Sequence, residues 1–376
     1  MATRFPRLAR RRVAVPVPAF RWTLTAALAR QGSFAPSTSS YSSSCCSNEN
    51  KILHDRLTAF YLSQGDSAQS AAELAVEELH WLRKRAYALA QASSDPSKDP
   101  DQKQRRGHSN LQHMVDQLVR EHKPLAYILG EPIVLSTTCD QPFHPLRVPL
   151  KVQPPLLIPR PETEYWVNQL ATLLPSDSTS LNTSYRLLDI GTGTGCIPLA
   201  LVQALLDRPQ TSSSTPIPSP PLQALGVDRS PLSISCATHN AKINDLSAHC
   251  HFTVLDLFDP SMLERLSPPF HLIVSNPPYI PLKEWANLAP TVKDWEDEKA
   301  LVAGEDGLVF YRRIVELLPE LLHQGEGMVA LEVGKGQAPI VREMLEDSGM
   351  KVQIIVDQWG VERCVVGSSI RTKSDR

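Results

Sequence analysis

The hydrophobic pattern of this chain divides it into two differently built parts. From Lys51 to His122, apolar residues recur at three- and four-residue spacing, which is typical of amphipathic helices that pack on one another. A polar stretch from Ser93 to His108 interrupts this spacing and predicts an insertion loop. We therefore expect a small helical domain over residues 49–122.

Prolines change the pattern between Lys123 and Pro161. Proline fixes φ and removes a backbone N–H, so these residues disfavour helix and favour extended segments. Residues 123–161 are predicted to form a linker or β-hairpin, lengthened by an insertion at residues 136–149.

Short apolar runs alternate with helical segments over residues 162–376. This alternation predicts a parallel sheet with crossover helices. A stretch dense in Ser and Pro, residues 210–221, is predicted to be a surface insertion before the second strand. The predicted fold class is α/β, with a seven-stranded Rossmann-like sheet preceded by a small helical domain. The strand candidates are Arg186–Ile190, Leu222–Val227, Phe252–Leu255, His271–Ser275, Gly327–Leu331, Val352–Val356 and Glu362–Val366.

The N-terminal segment differs from the rest of the chain in charge. No acidic residue precedes Glu49, whereas seven arginines do, and a Ser-rich run covers residues 37–44. This composition predicts a disordered mitochondrial transit peptide over residues 1–48, and hence a location in the mitochondrial matrix. The alternative is a disordered basic tail, or one that contacts nucleic acid.

The remaining composition argues against membrane contact, a metal site and unspecific binding to nucleic acid. No apolar run approaches the length needed to span a bilayer, so no membrane contact is expected. The seven cysteines are scattered, without a Cys-x-x-Cys pair or a Cys/His cluster at metal-ligand spacing, so no metal site is expected. Without its N-terminal segment the chain is acidic, which argues against unspecific binding to a phosphate backbone.

A glycine-rich turn follows the first strand candidate, in the run from Leu187 to Gly195. Glycines let the backbone approach a ligand closely, and the helix that starts at Cys196 presents free N–H groups. In a dinucleotide-binding turn the third glycine comes three residues after the second, but here it comes two after. This spacing is the methyltransferase version and predicts S-adenosylmethionine as the ligand. The loop candidates are Gly191, Thr192, Gly193, Thr194 and Gly195.

Two acidic residues end the next strand candidates. Asp228 closes the second strand, where a carboxylate can bind both hydroxyls of a ribose. Asp256 closes the third strand, within reach of an adenine amino group, although a turn or helix cap is an equally good interpretation.

The fourth strand candidate runs directly into Asn276, Pro277, Pro278 and Tyr279. The Asn276 side-chain carbonyl and the Pro277 backbone carbonyl can each accept one hydrogen of an NH₂ group, which directs the nitrogen lone pair toward a methyl donor. Tyr279 can stack on a planar acceptor. The tetrapeptide therefore predicts methylation of a planar, neutral NH₂ nitrogen, but it does not specify the acceptor molecule.

Further segments accompany these two motifs in a fixed order. Together they resemble the release factor glutamine methyltransferase family (the HemK/PrmC type) over nearly the whole chain from Lys51 onward, and the N-terminus is similar to that of a mitochondrial branch. The additional segments are Lys123–Gly130, Leu157–Glu164, Ala300–Leu308 and Leu331–Gly334.

The resemblance implies a class I methyltransferase fold and N5-methylation of the glutamine in the Gly-Gly-Gln loop of peptide chain release factors. It implies that the glycine loop, Asp228 and Asn276 contact the cofactor, and that the residues from Asn276 to Tyr279 form the glutamine site. Leu257 stands where bacterial members often have a tryptophan, and it joins Asp256 among the cofactor-binding candidates. The helical domain would contact the release factor away from the glutamine.

Two other functions remain open on the sequence. One is methylation of an exocyclic amine of a nucleic-acid base, adenine N6 or guanine N2, which would require a basic face or a target-recognition domain. The other is a non-catalytic module that binds a translation factor or the ribosome. Direct nucleic-acid binding is not expected. The intact glycine loop and tetrapeptide argue against a non-catalytic module.

Several charged residues of the family segments have a simple structural interpretation. Arg160, Glu162 and Glu164 are expected to cap the helix that follows them, with Thr163 as its N-cap. In the same way, Glu305 and Asp306 are expected to make a turn before a helix near Leu308.

Overall fold

The computed structural model describes residues 46–92, 100–129, 143–174, 185–208 and 222–369. The predicted transit peptide therefore lies outside the described residues, apart from its last three positions. The insertion at residues 210–221 also lies outside them, as does the part of the earlier insertion that covers residues 136–142.

Three long helices form the N-terminal part: α1 (Cys46–Ser63), α2 (Ala68–Ala92) and α3 (Pro100–Glu121). Their inward faces share one apolar core, and its members recur at the predicted spacing. The core includes Leu53, Leu57, Phe60, Ala75, Leu79, Leu82, Ala86, Leu111, Met114, Val115 and Leu118.

The prediction of a loop as far as His108 is wrong, because α3 already begins at Pro100. Proline is tolerated in the first turn of a helix, where its missing N–H has no intrahelical partner. The residues that follow are mostly exposed and polar, so this first part of α3 has no apolar stripe that a sequence pattern could reveal.

The linker region also departs from the prediction of extended structure. Residues Leu125–Leu129 form the short helix α4, and the carbonyl of Pro124 accepts hydrogen bonds from the backbone N–H groups of Tyr127 and Ile128. The predicted linker or β-hairpin covers residues 123–161, of which residues 130–142 lie outside the described part of the chain. Downstream, the chain is irregular but anchored, because Phe143, Leu146 and Leu150 are buried in the core of the sheet.

A seven-stranded sheet follows, and its strand order is β3-β2-β1-β4-β5-β7-β6. All seven predicted strands are confirmed, with ends that differ by a few residues at most. Within the described residues the pairings are parallel except for the two that β7 makes. The strands are β1 (Arg186–Ile190), β2 (Gln223–Asp228), β3 (Cys250–Val254), β4 (Leu272–Ser275), β5 (Met328–Glu332), β6 (Met350–Val356) and β7 (Glu362–Ser369).

Helices cover both faces of this sheet, as the buried strands require. Because successive strand residues point to opposite faces, Leu187 of β1 belongs to one core and Leu188 to the other. The first core receives α5 (Pro161–Leu173), α6 (Cys196–Leu206) and α7 (Pro231–Ile243), and the second receives α11 (Val309–Leu321) and α12 (Ala338–Asp347). The shorter helices are α8 (Met262–Leu266), α9 (Pro290–Lys293) and α10 (Glu298–Leu301), with a 3₁₀ turn at Leu282–Asn287.

The strand order reverses direction between β1 and β4. In open α/β sheets, ligands bind in the crevice outside the carboxyl ends of the strands at such a reversal. Ile190 pairs with Ser275, so the glycine-rich turn and Asn276 leave two adjacent strands at the same level. The fold therefore places the two predicted motifs side by side. Among the described helices, none is both long and apolar enough to cross a membrane.

Candidate active site

The turn after β1 has the backbone of a ligand-binding loop. Gly191, Gly193 and Gly195 have φ values of 74°, 53° and 80°, in the left-handed region that favours glycine. A Cβ atom added to Gly191 or Gly193 would meet no heavy atom within 4 Å, so open space lies against both residues. At Gly195 it would lie 3.0 Å from the Cβ of Ala237, because this glycine packs against α7. The loop thus combines an open ligand side with a closely packed protein side.

Gly226 is a site residue whose role the sequence pattern does not reveal. A Cβ atom there would lie 2.6 Å from Oγ1 of Thr192 and 2.5 Å from the ring of Phe252. The backbone N–H groups of Gly191 and Thr192 donate to the carbonyl of Val227, at 2.8 and 3.0 Å. The end of β2 therefore packs so closely against the loop that only glycine fits at position 226.

The loop covers buried polar groups without protein partners. Both carboxylate oxygens of Asp189 and the hydroxyls of Thr192 and Thr194 have no hydrogen-bond partner among the described residues. Burial raises the pKa of Asp189 to about 7. Buried polar groups are normally hydrogen-bonded, so unsatisfied ones beside an open cradle fit a site for a polar ligand. The residues present are therefore compatible with S-adenosylmethionine.

Asp228 fastens the loop from the end of β2. Its Oδ2 accepts a hydrogen bond from the backbone N–H of Gly193 at 3.0 Å, and its Oδ1 accepts one from the N–H of Ser230 at 2.8 Å. Burial raises the pKa of this carboxyl, and these two N–H groups oppose the shift. A carboxylate has about four lone-pair sites, so each oxygen can accept a further bond from a ligand. Ribose binding by Asp228 stays a prediction.

The two candidates after β3 are built differently from Asp228. Oδ1 of Asp256 accepts a hydrogen bond from the N–H of Phe258 at 3.0 Å, which makes a turn of the kind that Asp favours. Leu257 is buried in the core under α11, and its carbonyl accepts a hydrogen bond from Nε of Arg313 at 3.3 Å. Their contacts with a cofactor stay predictions.

The tetrapeptide after β4 lines a small recess that is partly open to solvent. The backbone N–H of Tyr279 donates to Leu301 at 3.2 Å, and its carbonyl accepts from Nε2 of Gln337 at 2.9 Å. These bonds fix the backbone of Tyr279, the last residue of the tetrapeptide. The recess is lined by Leu157, Arg160, Asn276, Pro277, Pro278, Tyr279, Ile280, Val292, Ala300 and Leu301.

The expected capping role of Thr163 is wrong. Helix α5 begins at Pro161 with Arg160 at the N-cap position, and no side chain caps it. Thr163 lies in the first turn, buried, and its hydroxyl donates to Oε2 of Glu332 at 2.6 Å. Oγ1 of Thr163 also lies 3.4 Å from Nδ2 of Asn276. A residue expected to begin a helix therefore connects that helix to the candidate active site.

The charged residues around Thr163 do not cap the helix either. Nη2 of Arg160 contacts both carboxylate oxygens of Glu296, at 2.5 and 2.8 Å, in a buried ion pair beside the recess. Glu162 lies 3.6 Å from Nη2 of Arg363, and Oε1 of Glu164 accepts from the N–H of His144 at 3.1 Å. Each side chain thus joins α5 to a distant segment, which no local sequence rule predicts.

The turn before α11 agrees with its prediction. Oδ1 of Asp306 accepts a hydrogen bond from the N–H of Leu308 at 3.0 Å, and the Asp306 carboxylate pairs with Arg312. Within the described residues, no group of three or more His, Cys, Asp or Glu side chains could hold a metal ion.

Comparison with known proteins identifies relatives of this chain. It is 34% identical over 262 residues to a release factor glutamine methyltransferase of Thermodesulfovibrio yellowstonii, covering 69% of this chain and 82% of that protein. It is 36% identical over 249 residues to a release factor glutamine methyltransferase of Geobacter sulfurreducens, covering 66% of this chain and 74% of that protein. No family model matches the chain.

Among solved structures, the fold is similar to that of a release factor-specific protein-(glutamine-N5) methyltransferase from Alicyclobacillus acidocaldarius. That protein is 26% identical, with a TM-score of 0.32, and the match covers 59% of this chain and 99% of that chain. A TM-score this low lends no support to a function, so the sequence relatives alone identify the family.

Proposed function

This chain belongs to the release factor glutamine methyltransferase family, and from this premise we propose that it methylates N5 of the glutamine in the Gly-Gly-Gln motif of a peptide chain release factor. One observation carries the proposal: Asn276 and the glycine loop leave adjacent strands, β4 and β1, at the same level. An acceptor NH₂ held by Asn276 and a donor held by the loop would therefore lie next to each other.

The proposed methyl donor is S-adenosylmethionine, which supplies an electrophilic methyl group on a positively charged sulfur. The residues that would hold it are those of the glycine loop, Gly191 to Gly195, with Asp228, Asp256, Leu257 and Asn276. The loop contributes open space against Gly191 and Gly193, and Asp228 contributes a carboxylate whose position two backbone N–H groups already set.

The proposed acceptor is a carboxamide NH₂, whose lone pair is delocalised and therefore a poor nucleophile. Oδ1 of Asn276 and the carbonyl of Pro277 would each accept one of its hydrogens, which raises the electron density on nitrogen and fixes its direction. Pro278 and Tyr279 would form the wall against the flat face of the amide. When bound, S-adenosylmethionine would supply the methyl group to this nitrogen and leave as S-adenosylhomocysteine, and the nitrogen would give up one of its two hydrogens as a proton.

The experiment that tests this proposal uses tritiated S-adenosylmethionine with a release factor and, in parallel, with DNA and ribosomal RNA. We expect label in the release factor alone, and mass spectrometry should place one added methyl group on its Gly-Gly-Gln peptide. Label in nucleic acid and none in protein would instead establish a base methyltransferase. Calorimetry that detects no cofactor binding would favour a non-catalytic module.

A mitochondrial location is part of the same proposal, and it rests on the Arg-rich, acid-free composition of residues 1–48. Fusion of this segment to a fluorescent protein should direct that protein to the mitochondrial matrix. A matched fusion with Arg10, Arg11 and Arg12 changed to Ala should lose this targeting. A wild-type fusion that stays outside mitochondria would refute the location, leaving the proposed chemistry untouched.

A further inference from the structure

A buried chain of hydrogen bonds holds the side chain of Asn276 from behind. Nδ2 of Asn276 lies 3.4 Å from Oγ1 of Thr163, a long contact of the kind that catalytic groups often show before substrate binds. Oγ1 of Thr163 lies 2.6 Å from Oε2 of Glu332, and Nε1 of Trp166 lies 2.6 Å from the same oxygen. Thr163, Trp166 and Glu332 are all buried, so water does not compete for these bonds.

Above its pKa of about 7 Glu332 is ionised, and the hydrogens in this chain of bonds then point in one direction only. An indole N–H is a donor and never an acceptor, so Oε2 of Glu332 accepts from Trp166. Neither oxygen of ionised Glu332 carries a hydrogen, so the single hydroxyl hydrogen of Thr163 points to Glu332 as well. Toward Asn276 the Thr163 hydroxyl is therefore an acceptor, and only the NH₂ end of the carboxamide can face it.

This direction decides what Asn276 presents to the recess that it lines. With its NH₂ end turned to Thr163, its Oδ1 is turned the other way, where an acceptor NH₂ would lie. A reversed carboxamide would place its oxygen against the acceptor side of the Thr163 hydroxyl and its NH₂ against the incoming NH₂, and neither pair can form a hydrogen bond. These buried hydrogen bonds therefore select the one orientation of Asn276 in which its side-chain oxygen can accept a hydrogen bond from an amide nitrogen.

We infer that Thr163 and Glu332 are positioning residues for methyl transfer, which orient the Asn276 carboxamide so that its oxygen faces the acceptor nitrogen. The inference rests on the function proposed above. Its alternative is a purely structural role, in which the same bonds only fasten α5 to the end of β5.

Two matched variants separate positioning from fastening, because each removes one of the two donors to Oε2 of Glu332. Thr163→Val keeps the shape of the side chain but removes the hydroxyl that contacts Asn276, so kcat should fall about tenfold or more, with KM for the release factor and the cofactor dissociation constant near wild type. Trp166→Phe removes the other donor and leaves the Thr163–Asn276 contact in place. It should unfold more easily yet keep kcat within about threefold of wild type. Thr163→Ser restores the hydroxyl and should recover most of kcat.

A double variant gives a second measurement that a structural role would not produce. If Thr163 acts through Asn276, then Thr163→Val should lower kcat no further in an Asn276→Ala background. Should the valine variant fail to melt cooperatively, Thr163→Ala removes the same hydroxyl with less steric demand and replaces it in both experiments.

The outcomes distinguish this inference from the proposed function. A wild-type enzyme that labels the release factor while folded Thr163→Val labels it equally fast would overturn the positioning role alone. The positioning role is likewise overturned if Trp166→Phe loses as much kcat as Thr163→Val, or if the double variant multiplies the two losses. A wild-type enzyme that labels no release factor would overturn the proposed function, and the positioning role with it.

Discussion

Asn276 concentrates the proposed chemistry in one half-buried side chain at the end of β4. Its position follows from the pairing of Ile190 with Ser275, and its orientation follows from Thr163. Neighbouring prolines add to this preorganisation, because Pro277 and Pro278 have fixed φ angles and no N–H that could compete for the acceptor. The side chain therefore needs little rearrangement when an acceptor amide arrives.

Replacement of Asn276 tests this arrangement directly. Asn276→Ala removes one positioned carbonyl from the recess, and we expect kcat for methyl transfer to fall about a hundredfold or more. The melting temperature should stay close to that of the wild type, because the side chain is only half-buried. Single-turnover transfer from tritiated cofactor measures the effect. A variant with wild-type kcat would contradict the assigned geometry.

Asp228 is expected to act on cofactor binding before it acts on the chemistry. Asp228→Ala removes the acceptor of the Gly193 N–H and a charged hydrogen-bonding group for the ligand, so the dissociation constant of S-adenosylmethionine should rise about tenfold or more. Isothermal titration calorimetry measures this change. The matched control is Asp347→Ala at the exposed end of α12, which alters the net charge equally and should leave the affinity unchanged. Equal affinities in both variants would remove Asp228 from the cofactor site.

At the scale of elements, the helical part depends on a close approach of α2 and α3. Gly107 is buried in α3, and a Cβ atom placed on it would lie 2.6 Å from the ring of Tyr87. Glycine normally weakens a helix interior by about 1 kcal/mol relative to alanine. Its presence here is explained by the tyrosine ring, which occupies the space that a side chain would need.

This contact reverses the usual effect of a Gly-to-Ala change in a helix. Gly107→Ala should gain about 1 kcal/mol from helix propensity but lose about 1–3 kcal/mol from overpacking against Tyr87, for a net loss of stability. Urea unfolding followed by circular dichroism measures the result. The control is Ser109→Ala, an exposed position in the same helix, which should be neutral or slightly stabilising. An alanine at position 107 that stabilises the protein would show that the ring moves away freely.

The stability of the whole molecule should carry a pH signature of its buried carboxyls. Burial raises the pKa of Asp189 to about 7, and burial likewise raises that of Glu332 to about 7. An aspartate titrates near ~4 in an unfolded chain, so folding favours the protonated form. The resulting stabilisation is fully present below pH ~4 and is lost as the pH rises through about 7.

A variant that cannot ionise at position 189 isolates this effect. Asp189→Asn stays neutral, so the variant should gain stability relative to wild type as the pH rises from ~4 to ~8, its free energy of unfolding increasing over that of the wild type by up to about 4 kcal/mol. Urea unfolding of the ligand-free protein across this range provides the measurement. A difference between the two proteins that does not change with pH would contradict the buried, unsatisfied state of the carboxyl.

Much of this protein follows from its sequence, because the deciding signals are local. Apolar runs and their spacing predict all seven strands, since the side chains of each strand carry the pattern by themselves. The three glycines of the loop predict positive φ angles, which the structure has. Asn276 and the two prolines after it predict a rigid pair of hydrogen-bond acceptors. These features depend on residues that are neighbours in the chain.

The tertiary structure alone decided what depends on residues far apart in sequence. A cap of α5 is the only role that the neighbours of Thr163 suggest, yet its hydroxyl contacts Glu332 and Asn276, more than a hundred positions away. The partner of Arg160 and the need for glycine at position 226 are hidden from local patterns for the same reason. A hydrogen bond or a steric contact depends on distance in space, and only the folded sheet brings these groups within reach of one another.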